Sequence, residues 1–156
     1  MMIAGVAALF FGNLSAAQAD ELKPYQNTYC NVQTFIGPDS QKVAMALPLA
    51  HTNNIPVIIV GKSALNLPHT GYIMAHECCH HSLKHTSKLP NMHTRESLAQ
   101  IEQEADQCAA NLLQARGEYK AIQAAVIQAR HDGQFARAEK ITQSLEASSP
   151  SGYGFE

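Results

Sequence analysis

The chain has no tryptophan, no run of basic residues, no interleaving of aromatic with basic side chains and a formal charge of only -2, from 11 Lys and Arg against 13 Asp and Glu. Without a basic patch there is no electrostatic footprint for nucleic acid, and no such partner is expected. No internal repeat is visible, which argues against a repeat architecture. At 156 residues the chain is too short for two ordinary domains and long enough for one modest core. Outside the N-terminus no stretch is apolar enough to compete as a membrane span.

The N-terminus itself is apolar from Met1 to Phe11, then small and polar, with Ala17, Gln18 and Ala19 ahead of Asp20. That order fits a signal peptide at 1–19, although its first residues lack Lys and Arg. The expected layout is a single domain over 20–147 and a disordered tail over 148–156. Location would be periplasmic or secreted, with no stable membrane span after cleavage, or tethered if the signal stays uncleaved. Cys30, Cys78, Cys79 and Cys108 then read as one or two disulfides in an oxidising compartment. Three full pairings stay open, although the neighbours Cys78 and Cys79 rarely join each other.

Tyr25, Tyr29, Val32 and Phe35 recur at roughly helical spacing and predict a first helix over Glu21 to Ile36, ended by Gly37, Pro38 and Asp39. Two strands are expected at Lys42 to Leu49 and Ile55 to Val60, separated by the turn-prone His51, Thr52, Asn53 and Asn54. Pro56 cannot donate to a ladder, so the second strand is expected at a sheet edge. A helix follows from about Pro68 to Thr86, and a loop at Lys88 to Asn91. The next helix, Thr94 to Arg116, stops at Gly117 and carries an apolar stripe of Leu98, Ile101, Ala105, Ala109 and Leu112. Helices over Tyr119 to Arg130 and Gln134 to Ala147 complete the chain, with His131, Asp132 and Gly133 between them.

Eight histidines are present, and they bunch between His69 and His93. Within the bunch His76, Glu77, Cys78, Cys79 and His80 form an HExxH motif on an expected helix. Residues four apart stack on one helix face, so both imidazoles can address one ion. Glu77 lies on the flank of that face, placed to take a proton from a metal-bound water. A catalytic zinc ion needs a third protein ligand. In the HExxHxxGxxH alternative, the required glycine and histidine fall on Leu83 and Thr86, so it fails. Glu102 on the next helix supplies a carboxylate, and Asp106, one turn on, would hold a ligand histidine by its free ring N–H. Glu104 points elsewhere and reads as a surface residue. His51, His69, His81, His85 and His93 read as structural, and a Cys79 thiolate is a poorer ligand candidate than Glu102.

These segments together resemble the HtpX-like gluzincin metallopeptidases. The resemblance rests on Ala44 to Pro48 ahead of an Ile/Val-rich strand and Gly61, on His76 through Thr86 with the later His85, on Glu102 to Asp106 with Ala109, Leu112, Leu113 and Gly117 behind, and on His131 with Arg137. It implies an α+β, zincin-like minimal metallopeptidase domain, mostly helical, with a small sheet whose edge strand borders the cleft. It further implies one Zn2+, a polypeptide substrate laid along that edge strand, here Ile55 to Val60, and His131 as a helper at the transition-state oxyanion. The rival reading is a catalytically silent zinc-binding module that recognises or chaperones envelope proteins. Copper or nickel is a third possibility for the histidines, which the carboxylate ligand makes less natural than zinc.

Overall fold

The computed structural model describes residues 22–39, 43–49, 55–88 and 94–148. It is α+β. Four strands, β1 (Lys23–Tyr25), β2 (Gln33–Gly37), β3 (Ala44–Leu49) and β4 (Ile55–Gly61), form one sheet in the order β1-β2-β4-β3. β2 and β4 run parallel, while β1 and β3 are antiparallel to their neighbours. A 3-10 turn, Lys62–Asn66, leads into helix α1 (Thr70–Ser82), followed by the short α2 (His85–Lys88) and then α3 (Arg95–Ala115), α4 (Tyr119–His131) and α5 (Phe135–Ser148). Among the described residues no helix is long and apolar enough to cross a membrane. The expected signal peptide, the 51–54 turn, the segment carrying His93 and the tail beyond Ser148 lie outside the described residues.

Three expectations need correction. The first helix is absent: most of that stretch is β1, a bent connection and β2. The β-branched and aromatic residues Thr34, Phe35 and Ile36 pair with Ile58, Ile59 and Val60, and that tertiary pairing overrides a chance helical spacing. Strand β4 is internal and not an edge. Its Val57 to Val60 run is buried throughout, as suits a strand covered on both faces. Pro56 is tolerated because the β2 ladder begins only at Val57, and on the other side Pro56 stands opposite Pro48. The free edge beside β4 is β3. Finally, the helix expected to run to Thr86 breaks at Leu83 and Lys84, where Lys84 adopts φ 58.

The other helices follow their signals closely. Thr94 caps α3 by accepting from the Ser97 N–H at 3.1 Å. Gly117, at φ 72, ends it with the Glu118 N–H reaching back to the Leu113 carbonyl at 2.9 Å. Gly133 repeats the device between α4 and α5, with the Gln134 N–H on the Ala129 carbonyl.

Helix α1 lies between two cores. Met74 and Cys78, one turn apart, pack with Ile58, Val60 and Ala64 on the sheet side. Tyr72, Ala75 and Cys79 pack with Ala105, Ala109, Leu113, Ile122 and Ile141 on the helical side. Two disulfides tie it in place, Cys30 to Cys78 and Cys79 to Cys108, which settles the open pairing. They close loops with sequence separations of 48 and 29, each a constraint of about 4 kcal/mol on the unfolded chain in the loop-entropy account.

Gly71 sits where Tyr29 crosses α1: a Cβ there would lie 2.6 Å from the Tyr29 hydroxyl. That hydroxyl donates to Glu118 at 2.5 Å, and the Arg116 guanidinium covers the Tyr29 ring, so the ring cannot yield cheaply. Alanine is the better helix former by about 1 kcal/mol. We nevertheless expect Gly71→Ala to lower stability, by about 1–3 kcal/mol of overpacking. A denaturation midpoint at or above that of the parent would show that this contact is not tight.

Candidate metal centre

The third face of α1, turned away from Met74 and Cys78, carries His76 and His80. Their Nε2 atoms are 3.0 Å apart, with the two rings edge to face. Glu102 reaches in from α3, its Oε2 3.3 Å from His76 Nε2 and its Oε1 3.6 Å from His80 Nε2. One ligand atom from each of the three lies within 4.8 Å of the others. Both histidines are buried, and the Glu102 side chain is 29% exposed, so the cluster opens to solvent on the carboxylate side. Glu77, next along α1 from His76, is buried as well. The disulfide from Cys79 to Cys108 joins the helix of the two histidines to the helix of Glu102.

This donor set fits a zinc ion. Two imidazole nitrogens and a carboxylate make a three-ligand set of the catalytic type. Tetrahedral Zn–N bonds of about 2.0–2.1 Å would hold two nitrogens roughly 3.3 Å apart, close to the separation found here.

Each histidine is gripped from behind. His76 Nδ1 approaches Asp106 Oδ1 at 2.9 Å, off the line of a well-directed hydrogen bond. Asp106 is itself held by the Tyr72 hydroxyl, which donates to Oδ1 at 2.9 Å, and by Arg137 through Nε to Oδ2 at 2.7 Å and a second guanidinium nitrogen to Oδ1 at 2.8 Å. His80 Nδ1 lies 3.1 Å from Nδ1 of the fully buried His85, whose Nε2 is 3.0 Å from Glu104 Oε2. His81 turns away and bonds the Val57 carbonyl at 2.9 Å, tying α1 to β4.

Electrostatics split the two histidines. Burial opposes a charge on His76, but Asp106 and Glu102 outweigh it and hold its pKa up at about 10. His80 is driven down to about 3 by burial and then by the His76 charge. Burial also opposes the charges on Asp106 and Glu102; His76 overcomes it in both, with Arg137 helping at Asp106, so both carboxyls sit below their ordinary range.

The expected residues His76, His80, Glu102 and Asp106 therefore converge, with Glu77 beside them. His131 does not join them. It ends α4 as an exposed side chain with Nδ1 3.2 Å from Asp132 Oδ1, outside the cluster. The Tyr72 and Arg137 clamp is not among the expected site residues: Tyr72 sits one turn before His76, and Arg137 enters the sequence reading only beside His131 in the resemblance. Glu104, expected to be a plain surface residue, is 40% exposed but bonded to His85.

A family model described as Peptidase U49 matches residues 39–143, more than half of the chain. The chain belongs to the Peptidase U49 family, and that membership supports peptidase activity. The match covers every residue of the cluster but does not single out the HtpX-like gluzincin type. No curated protein and no solved structure matches the chain.

In the metal-free chain the shifts have a definite pH signature. The stability from His76 is complete below 6.5 and is lost as pH climbs through about 10. The depressed pKa of His80 makes folding less favourable as pH falls below 6.5, and the Asp106 contribution, present above 3.8, goes at still lower pH. Thermal midpoints of the metal-free chain should peak near 6.5 and fall on both sides, and Asp106→Asn should flatten the alkaline limb. An alkaline limb unchanged in that variant would remove the pair from the account.

Proposed function

We propose that the chain is a zinc-dependent metalloendopeptidase acting on envelope or secreted proteins, with one Zn2+ held by His76, His80 and Glu102 and with Glu77 as general base. The observation that carries this reading is the convergence of those three donor groups beside a buried glutamate, within a chain that belongs to a peptidase family. When bound, the zinc ion supplies a Lewis acid that polarises the scissile carbonyl and acidifies water. Glu77 accepts the proton of the attacking water and returns it to the leaving amine nitrogen. Asp106, clamped by Tyr72 and Arg137, keeps the Nε2 of His76 turned to the site. The resemblance to HtpX-like gluzincins supports the same assignment of ligands and base.

The substrate is assigned to the free edge of β3. Helix α1 packs against β3, and β3 pairs only with β4 among the described strands, which leaves its other edge open to an extended peptide. Two disulfides favour an oxidising compartment, in keeping with a periplasmic or secreted chain entered through a signal peptide at 1–19.

A base is of no use to a purely structural ion, so Glu77 favours the enzyme over the silent module. Glu77→Gln should keep its zinc and lose cleavage of an unfolded casein-type substrate by about 10²–10⁴-fold. Glu102→Gln should lose zinc and activity together. Zinc in parent and Glu77→Gln with cleavage by neither would establish the binding module instead.

A further inference from the structure

We infer that His85 and Glu104 are positioning residues for His80: a two-step hydrogen-bonded chain fixes the tautomer and the aim of that imidazole toward the ion. The inference rests on the zinc reading above and deepens it.

The chemistry leaves one consistent order of donors. A histidine that offers its Nε2 lone pair to a cation carries its proton on Nδ1. The His80 Nδ1–H then donates to His85 Nδ1 at 3.1 Å, which places the His85 proton on Nε2, where it donates to Glu104 Oε2 at 3.0 Å. Glu104 is an acceptor only, and its other oxygen receives the Gln100 side-chain N–H at 2.9 Å. Every ring nitrogen in the chain has one role, and no proton is shared or missing.

The backbone is bent to make this contact. In a continuous helix a residue five positions after His80 would stand about 140° around the axis and could not face it. The chain leaves α1 at Leu83, and Lys84 takes φ 58, a left-handed conformation that strains a non-glycine residue. The immediate product of that turn is His85, brought back against His80 and buried completely. A buried imidazole needs partners for both nitrogens, and His80 and Glu104 supply them. The two ligand histidines are thus backed differently, His76 by a clamped carboxylate and His80 by a neutral imidazole whose own anchor, Glu104, is partly exposed on α3.

The test is zinc affinity by chelator competition on the full, disulfide-bonded chain, with far-UV circular dichroism to verify folding. His85→Leu cannot accept from His80 and should weaken zinc binding by about 10–100-fold. His85→Gln, which can accept through Oε1 and donate through its amide, should restore it to within about threefold. Glu104→Ala removes a partly exposed side chain that touches no ligand, so it should fold normally and yet weaken zinc by about tenfold. The visible bands of the Co2+-loaded chain report ligand geometry; they should shift in His85→Leu and return in His85→Gln. If His85→Leu does not fold, Glu104→Ala decides. Parental zinc affinity and an unshifted Co2+ spectrum in both His85→Leu and Glu104→Ala would overturn the inference while leaving the zinc site standing. A parent chain that binds no zinc would overturn the site, and the inference with it.

Discussion

Helix α1 is buried from Tyr72 to His80 with only Ile73 partly exposed, so its polar residues are held in a low-dielectric layer between the sheet and the other helices. Two imidazoles and a carboxylate in such a layer are costly unless each is paired, and the surrounding structure is the set of partners that pairs them. Asp106, Tyr72 and Arg137 answer His76; His85 and Glu104 answer His80; Glu102 faces both rings. The fold supplies these partners from α1 itself, from α3, from the first turn of α5 and from the bend after α1.

The two cystines serve the same constraint. Both spacer positions of the HExxH motif are crosslinked, one toward the sheet side and one toward the helical side. Cys108 lies on the same helix as Glu102, so the second bond fixes the distance between the histidine helix and the carboxylate helix by covalent means. The crosslinks thus add a covalent constraint to the two cores that already pack against α1.

The convergence of the candidate residues is more legible in the sequence than the sheet is. HExxH and the paired Glu102 and Asp106 are local patterns at i, i+4 spacing, and a helix fixes where such residues point. The caps at Thr94 and Gly117 are local for the same reason. What failed was non-local. Pro56 marks an edge by its own chemistry, but which strand is outermost depends on β2, whose residues look helical in sequence because Tyr25, Tyr29, Val32 and Phe35 mimic helical spacing. The partners of His80 were hidden behind Lys84, since no sequence rule expects a lysine at positive φ. His131 drew its role from resemblance alone, and its side chain stands in solvent.

The central claim, that His76, His80 and Glu102 hold one zinc ion, is tested most directly by zinc-edge X-ray absorption on the purified oxidised chain. The account predicts one ion per chain, two imidazoles and otherwise oxygen neighbours, with no sulfur scatterer. A sulfur neighbour would mean that Cys78, Cys79 or their partners ligate the metal in place of their disulfides, and would contradict the site described.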